Sequence, residues 1–571
     1  MKVTDWIIEF LISKGVKTIF GYPGGVICHF MDSALKYENQ IEAKINYHEQ
    51  ASAFAACAYG QASGIPGVAF STSGPGATNL VTGIANAYFD SVPAMFVTGQ
   101  VDTYALKDNF QISQRGFQET DIVGIVNTIT KYCVQVKEPE QICYEFEKAW
   151  HMATTGRRGP VLLDLPADVQ RAEVDVEKVN HYKPDTKNVE NVDNTISEIL
   201  RYLQNAKRPC IAVGAAVKQC GVKKELRQFA EKWNIPVVSS MNAVDILPAN
   251  HPLFMGFIGT NGHRCANFVV EKSDVLLTLG TRLDLKQVGN KRELFAPNAK
   301  IVRVDIDAGE LDYKLRDDVI SIQADIEEIL PLLVEAPMTG EMYEGWIKVC
   351  KVLKHDLYEQ DFNMDGHQYL KRLAGVCTPS TLFTLDVGHN EVWSAQALKL
   401  ESEQEVYLSG GLGAMGYSLP AAVGVYYAKK CPVVSINGDG GFQMNLQELQ
   451  FVARENLPIK IVVLNNQALG MIRHFQEANF SQKYFLTTKE SGYTVPSLEA
   501  LADTYKIPYM RIETPDMLEN QKELFAKPGP AIVECVLGTK TYLEPKFGRS
   551  DCLADQEPLL ERTKYDYYSA L

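Results

Sequence analysis

A continuous apolar run, Pro432-Val433-Val434-Ser435-Ile436, leads directly into the glycine-rich turn Asn437-Gly438-Asp439-Gly440-Gly441. A helical pattern follows, and a second apolar run, Ile461 to Leu464, ends in Asn465-Asn466. One βαβ crossover would bring Asp439 and Asn466 to the carboxyl edge of neighbouring parallel strands, where open α/β sheets bind ligands. Carboxylate and amide oxygens suit Mg²⁺ that shares its shell with phosphate, and glycines let backbone N–H groups approach a diphosphate. We therefore predict a metal–diphosphate site at this edge.

Three further kinds of turn fit this segment less well. Glycines are common in ordinary strand-to-helix turns, but the second strand, ending in Asn465-Asn466, favours the ligand site. A calcium EF-hand loop is excluded because Phe442 stands where that loop needs Gly. A Walker phosphate loop is excluded because no Gly-Lys-Ser/Thr follows.

The same alternation of short β-branched runs and helical patterns extends along all 571 residues. This pattern predicts an α/β fold made of three doubly wound parallel-sheet domains. We expect an N-terminal domain at 1–172, a central domain at 190–335, a C-terminal domain at 365–545 and an irregular polar tail at 546–571. Charged, aperiodic connections are expected at about 173–194 and 335–344.

Composition indicates a cytoplasmic protein that acts on small molecules. The formal net charge is −14, so no overall field attracts the chain to nucleic acid. No apolar stretch reaches the ~18–20 residues of a membrane span, and residues 1–6 lack the pattern of a signal peptide. The twelve cysteines include no Cys-x-x-Cys pair, which favours reduced thiols over disulfides or zinc.

The sequence Gly438-Asp439-Gly440, followed by Asn465-Asn466, resembles the thiamine diphosphate motif of the thiamine enzymes. The resemblance implies that Asp439, Asn466 and the backbone carbonyl of Ala468 bind Mg²⁺. It also implies cofactor contacts at Gly438, Gly440, Gly441 and Asn465.

A thiamine enzyme needs a carboxylate that hydrogen-bonds N1′ of the cofactor's aminopyrimidine ring in a dry site. Glu49 is the candidate, because it lies between a short strand and a helix crowded with small residues. A buried carboxylate needs a partner, which the cofactor would supply. Taken alone, Glu49 fits an ordinary first-turn residue favoured by the helix dipole better than a catalytic residue. The metal–diphosphate motif elsewhere in the chain reverses this and favours the catalytic role.

Further segments resemble the acetolactate synthase (acetohydroxyacid synthase) large-subunit branch of the thiamine enzymes over nearly the whole chain. The segments are Gly21–Gly25, Thr72–Asn79, Gly116–Thr120, Thr130-Lys131 and Ser409–Tyr417. By this resemblance the catalytic residues are Glu49, Gln118, Lys131 and Gly25. Additional thiamine contacts would be Pro23, Gly24, Ser73, Gly74, Asn79, Gly413 and Met415. Without the resemblance, Gln118 and Lys131 could be ordinary surface residues and Met415 ordinary core.

The central domain of this family often binds FAD, without hydride chemistry. Five residues at predicted strand ends are similar to family FAD contacts: Gly214, Gly280, Arg282, Asp305 and Asp325. Turns of this kind also occur without any ligand.

The resemblance implies that the enzyme decarboxylates pyruvate and transfers the two-carbon unit to a second 2-keto acid, which gives 2-acetolactate. The cofactor would lie between two subunits, so a homodimer or homotetramer is expected, and a regulatory subunit is a further partner that the family allows. A keto sugar or other carbonyl acceptor is the alternative, because Lys286 replaces the family's acceptor-binding Arg and Arg473-His474-Phe475 replaces its Arg-Gln-Trp. The C-terminal stretch from Pro545 also differs from the usual synthase ending.

Two rival classes of protein make different predictions. A nicotinamide-dependent dehydrogenase would show Gly-x-Gly-x-x-Gly after a strand, and the closest candidate, Gly74–Asn79, lacks the last Gly. A non-catalytic scaffold is compatible with the composition, but it would leave Glu49, Asp439 and Asn466 without a role.

Overall fold

The computed structural model of the chain describes residues 1–184, 192–337, 343–401, 403–548 and 552–571. Its strands form three six-stranded sheets, and every strand pair in them is parallel. Helices connect the strands of each sheet, so the predicted α/β fold is confirmed. Residues 185–191 and 338–342, within the two predicted connections, and 549–551, within the predicted tail, lie outside the described residues.

The first sheet has the strand order β2-β1-β3-β4-β6-β5. Its strands are β1 Thr18–Gly21, β2 Glu42–Ile45, β3 Gly67–Ser71, β4 Ala94–Gln100, β5 Tyr132–Gln135 and β6 Pro160–Pro166. Its helices are α1 Val3–Ser13, α2 Cys28–Lys36, α3 Glu49–Ser63, α4 Pro75–Asn79, α5 Val81–Phe89, α6 Ile122–Val126, α7 Ile142–Thr154 and α8 Ala167–Arg171. The strands β3, β4 and β6 are buried along their whole length, as expected for a sheet covered on both faces.

The second sheet has the order β12-β11-β10-β7-β8-β9. Its strands are β7 Pro209–Val213, β8 Val237–Ser239, β9 Phe254–Phe257, β10 Val275–Leu279, β11 Lys300–Asp305 and β12 Ile320–Gln323. The helices are α9 Val192–Asn205, α10 Ala216–Gln219, α11 Lys223–Trp233, α12 Arg264–Lys272, α13 Leu285–Val288, α14 Ala308–Asp312, α15 Ile326–Glu335 and α16 Glu344–Leu357.

The third sheet has the order β14-β13-β15-β16-β18-β17. Its strands are β13 Leu382–Leu385, β14 Val406–Leu408, β15 Val433–Gly438, β16 Ile459–Asn465, β17 Tyr509–Ile512 and β18 Ala531–Val536. The helices are α17 Asp365–Val376, α18 His389–Ala397, α19 Ser418–Lys429, α20 Asp439–Phe442, α21 Glu448–Arg454, α22 Gly470–Asn479, α23 Leu498–Thr504, α24 Pro515–Glu519, α25 Lys522–Ala526 and, at the end of the chain, α26 Arg562–Ala570.

The first and third sheets are joined through α3 and α19. A β-carbon added to Gly424 would lie 2.0 Å from the carbonyl oxygen of Ala55, so the two helix backbones are in direct contact. Phe54 packs edge-on against Tyr417 with ring centroids 5.3 Å apart. The small residues that crowd α3 therefore allow it to lie against α19 rather than only against its own sheet.

The end of the chain corrects one expectation. The segment expected to be an irregular tail contains α26, and Tyr568 of that helix packs on Phe268 of α12. Arg264, almost fully buried, donates hydrogen bonds to the carbonyls of Gln556 and Pro558. Packing against the central domain orders a polar segment that has no strong helical pattern of its own.

No helix in the described part of the chain is both long and apolar enough to cross a membrane.

Candidate active site

The strand ends β15 and β16 bring Asp439 and Asn466 together. Gly438 pairs with Leu464 across the two parallel strands, so both chains leave the sheet at the same edge. Asp439 Oδ2 accepts hydrogen bonds from the backbone N–H of Asn466 at 3.0 Å and of Gln467 at 2.8 Å. The side chain of Asn466 turns toward Ala468, whose N–H donates to Asn466 Oδ1 at 3.2 Å. The three expected metal ligands are thus neighbours.

Asp439 is a buried carboxylate, only 2% exposed. Burial raises its pKa to about 6, although the O–H of Tyr493 donates to Oδ1 at 2.6 Å. No lysine or arginine among the described residues forms an ion pair with it. A divalent cation would supply the missing positive charge, so this donor set fits Mg²⁺.

Two positions in the turn require glycine, because neighbouring atoms leave no room for a side chain there. A β-carbon on Gly440 would lie 2.6 Å from Leu469 Cδ2, and one on Gly441 would lie 2.2 Å from Asp386 Oδ1. Asn465, expected to contact the cofactor, donates to Glu534 at 2.7 Å and accepts from Gln467. These hydrogen bonds fix the end of β16, and the cofactor contact of Asn465 stays a prediction.

The loop between β14 and α19 carries Met415 to this turn. The loop depends on two glycines with positive φ, Gly413 at +67° and Gly416 at +82°. Met415 Cε lies 3.4 Å from the β-carbon position of Gly440, and the side chain is partly exposed. This location agrees with a side chain that would support a cofactor above the turn.

Three residues after β13 complete this edge, and sequence reasoning missed them. Asp386 accepts hydrogen bonds from the N–H groups of Gly416 and Ser418 and so clamps the Met415 loop. Asn390 Oδ1 lies 3.0 Å from the β-carbon position of Gly438. Burial lowers the pKa of His389 to about 3, so this side chain is neutral. The signal was available, because β13 is the parallel neighbour of β15 and must end at the same edge.

Glu49 lies at the first position of α3, where the helix leaves the carboxyl edge of the first sheet. It is half-buried, and Asn79 Nδ2 donates to its Oε2 at 2.9 Å. Oε1 lies 3.2 Å from the β-carbon position of Gly76. The structure therefore joins Glu49 to the Thr72–Asn79 loop, with Asn79 holding one of the two carboxylate oxygens.

The glycine loops near Glu49 also lie at this edge. A β-carbon on Gly24 would lie 2.4 Å from Thr72 Cβ, and one on Gly74 would lie 2.9 Å from Gln118 Cβ. Gln118 itself has φ +65°, a left-handed backbone conformation that sets the direction of its Cα–Cβ bond. Two further predicted residues differ in exposure: Gly25 is exposed and Ser73 is buried with its hydroxyl unpartnered among the described residues. Exposed Pro23 precedes Gly24.

Lys131 does not join Glu49 within one chain. It immediately precedes β5, whereas Glu49 and Thr72 follow β2 and β3, so Lys131 lies at the opposite edge of the parallel sheet. Its ammonium donates to the carbonyl of Thr155 at 2.8 Å. Its expected catalytic role remains a prediction.

The five residues expected to contact FAD all line one cavity of about 430 Å³ between the three domains. They lie at the carboxyl ends of β7, β10, β11 and β12, the edge where dinucleotides bind in such sheets. Arg157, Arg158 and Arg282 supply positive charge to the same cavity. Burial raises the pKa of Asp305, which accepts from the N–H of Asp307 at 3.0 Å. A polar cofactor with a diphosphate fits this lining.

Large apolar side chains are exposed near both groups of predicted thiamine contacts. Phe117, beside Gln118, is 86% exposed, and Phe475 and Phe485 are more than half exposed at and after α22. Exposed apolar patches of this kind mark interaction surfaces. The Glu49 group and the Asp439 group are thus both bordered by surface suited to contact with another protein.

Three family models match the chain in order. They are the thiamine pyrophosphate enzyme N-terminal TPP binding domain at 1–125, the central domain at 196–333 and the C-terminal TPP binding domain at 386–535. Each match contains one of the three sheets or most of it.

The relatives match over nearly the full length. The chain is 36% identical to the probable acetolactate synthase large subunit of Methanocaldococcus jannaschii, and the alignment covers 99% of this chain and 98% of that protein. It is 34% identical to the acetolactate synthase large subunit of Lactococcus lactis, over 94% of this chain and 93% of that protein. It is 35% identical to the acetolactate synthase isozyme 2 large subunit of Escherichia coli, over 91% of this chain and 92% of that protein. The chain therefore belongs to the acetolactate synthase large-subunit family of thiamine pyrophosphate enzymes.

Proposed function

We propose that the protein is an acetolactate synthase, which decarboxylates pyruvate and joins the two-carbon unit to a second 2-oxo acid. The observation that carries this proposal is the buried edge of the third sheet, where Asp439, Asn466 and Ala468 converge beside a crowded glycine turn. Relatives named acetolactate synthase large subunits match this chain from end to end.

Three cofactors fit the residues present. Asp439, Asn466 and the carbonyl of Ala468 would hold Mg²⁺, the N–H groups of the glycine turn would hold the diphosphate, and the interdomain cavity would hold FAD. Bound thiamine diphosphate supplies the electron sink that carbon–carbon bond cleavage requires.

Glu49 would hold the proton shared with the aminopyrimidine nitrogen. Asn79 fixes Oε2 of the carboxylate at 2.9 Å, which leaves Oε1 to face the cofactor. Gln118 and the N–H of Gly25 would stabilise negative charge that develops on substrate oxygens, as preorganised donors do in other enzymes. Within one chain Lys131 lies at the opposite edge of the sheet from Glu49. It could therefore take part only in a site to which a second chain brings it.

We infer that the complete site takes Glu49 from one chain and Asp439 from another. The exposed Phe117 and Phe475 would then be covered by a second copy, and water would be excluded from the reacting atoms. A homodimer or homotetramer satisfies this requirement. A regulatory subunit would be a further partner, because the relatives are named large subunits. We place the protein in the cytoplasm, because its twelve cysteines are free thiols, which suit a reducing compartment.

Product analysis tests the proposed reaction. Purified protein with thiamine diphosphate, Mg²⁺, FAD and pyruvate alone should form acetolactate, detected by mass spectrometry. Parallel reactions with added keto sugars test the competing acceptor. An adduct of the sugar formed in preference to acetolactate would contradict the proposal, and so would release of acetaldehyde as the main product.

Gly280→Ala should reduce flavin retention. Gly280 has φ +55°, and an added β-carbon would lie 2.5 Å from Ala216 Cβ, so the backbone at the cavity must shift. We expect a loss of about 1–3 kcal/mol in stability and a lower flavin absorbance per chain. Gly375→Ala is the matched control, because apart from its chain neighbours and the nearby backbone of its own helix α17, no described atom lies within 4 Å of its β-carbon position. That variant should keep its flavin and gain slightly in stability, by about 0.5–1 kcal/mol.

A further inference from the structure

A buried carboxylate on α21 holds the segment that leads into Glu49. Glu448 is the first residue of α21, the helix that follows the Asp439 turn in the crossover from β15 to β16. Its side chain is fully buried. Oε2 accepts a hydrogen bond from Asn46 Nδ2 at 2.9 Å, and Oε1 accepts from the backbone N–H of Tyr47 at 2.8 Å. The C-terminal domain thus grips the turn between β2 and α3.

This contact joins buried groups that depend on each other. Asn46 is fully buried, and its Oδ1 has no hydrogen-bond partner among the described residues. Burial raises the pKa of Glu448 to about 7, while Asn46 and the N–H groups of Tyr47 and His48 lower it. Loss of the carboxylate would leave the Asn46 amide and the Tyr47 N–H without their acceptors, which is costly. The turn would therefore have to shift.

A shift of this turn reaches Glu49 directly. Only His48 separates Tyr47 from Glu49, and His48 caps α3 by accepting the N–H of Gln50 on its Nδ1 at 3.1 Å. Glu49 is the first residue of α3. A displacement of the Tyr47 backbone therefore moves the first turn of α3 and the Glu49 carboxylate with it. A misplacement of about 1 Å can cost about a hundredfold in rate.

We propose that Glu448 is a positioning residue for Glu49 of its own chain. It fixes the turn before α3 so that the Glu49 carboxylate reaches the aminopyrimidine nitrogen of the bound cofactor. Under the shared-site arrangement, Glu448 then serves the site opposite to the one served by Asp439, although both lie in the same crossover. This inference rests on the proposed function and deepens it, because one side chain links the two sites through a single chain.

Glu448→Met keeps the length of the side chain and removes both acceptors. We expect the rate of acetolactate formation to fall by about tenfold to a hundredfold. The affinity for thiamine diphosphate with Mg²⁺, measured by calorimetry, should stay within about threefold, because the metal ligands are unchanged. Glu448→Gln should restore the rate to within about threefold of wild type, since its amide can accept from Tyr47 and donate to Asn46 Oδ1. A loss in Glu448→Gln as deep as that in Glu448→Met would overturn the positioning role.

Glu455→Gln is the matched control. Glu455 follows the same helix and pairs with Lys44 of the same segment at 3.0 Å, but both side chains are partly exposed. This variant should retain wild-type turnover. Amide hydrogen exchange of the cofactor-free protein gives a readout without catalysis. Peptides covering 46–50 should exchange faster in Glu448→Met than in wild type, and peptides covering 437–442 should not. Faster exchange at 437–442 alone would overturn the inference.

Mixed dimers identify the site on which Glu448 acts. A Glu448→Met chain is paired with an Asp439→Ala chain and, in a second preparation, with a Glu49→Gln chain. If Glu448 acts through Glu49 of its own chain, the first pair has one intact site and should show about half of wild-type activity. The second pair has a defect in each site and should stay below about a twentieth of wild type. The opposite order of activities would assign Glu448 to the Asp439 turn and overturn the inference.

Failure of the proposed function would have a different signature. Wild type that forms no acetolactate would refute that function, and no recovery in the pair of Glu49→Gln with Asp439→Ala would refute the shared site. In either case the exchange of peptides 46–50 still decides whether Glu448 holds the turn. If Glu448→Met does not fold, Glu448→Asp replaces it, because its carboxylate is one methylene short of the turn. That variant should give the same order of activities, with a loss of about three- to tenfold.

Discussion

Glu49→Gln should reduce acetolactate formation by about a hundredfold to ten-thousandfold, the range over which a positioned acid or base contributes to a rate. The amide keeps the shape of the side chain and can still contact Asn79, which donates to Glu49 Oε2 at 2.9 Å. It cannot share a proton with the aminopyrimidine nitrogen as a carboxylate does. Steady-state rates and thiamine diphosphate binding by calorimetry measure the two effects separately.

The affinity for the cofactor should change little in this variant, because the Mg²⁺ and diphosphate contacts belong to the third sheet. Glu9→Gln is the control, since Glu9 lies on α1 and contacts Tyr37 on the surface. It should retain wild-type turnover. Full turnover in Glu49→Gln would remove Glu49 from the mechanism.

The second large effect is recovery of activity when two inactive chains are combined. Asp439→Ala removes the buried carboxylate that accepts from Asn466 and Gln467, so Mg²⁺-dependent cofactor binding should be abolished. Glu49→Gln damages the other half of the site. If each site uses Glu49 of one chain and Asp439 of another, a mixed dimer contains one intact site and one doubly defective site.

Co-expression of the two variants should therefore restore about a quarter of wild-type activity, since about half of randomly paired dimers are mixed and each has one working site. Two different affinity tags allow the mixed dimers to be isolated, and these should show about half of wild-type activity. The double variant Glu49→Gln/Asp439→Ala paired with wild type is the matched control for pairing. Activity of isolated mixed dimers at the level of the single variants would show that each site lies within one chain.

Much of the architecture could be predicted from sequence because parallel sheets follow strict rules. The apolar strands before Asp439 and Asn466 must leave the sheet at the same edge, so their proximity followed from two short segments. In the central domain, Gly214, Gly280 and Asp305 were singled out by their similarity to family FAD contacts, and the structure places all three in one cavity.

Several features depended on the tertiary structure. Asp386 and Asn390 follow the short strand β13 and carry no glycine signature, so only the packing of β13 beside β15 reveals their role. Lys131 precedes its strand rather than following it, and one chain therefore places it away from Glu49. The helix α26 is polar and owes its order to contacts with α12, which local sequence does not encode.

The close approach of Gly424 to Ala55 joins the Glu49 half and the Asp439 half of one chain into a single body. Under the proposed arrangement, these two halves serve different sites. A rotation of one chain against its partner would then alter both sites simultaneously. Cofactor uptake and release at the two sites should consequently be mechanically coupled, and a chain cannot open one site while leaving the other unchanged.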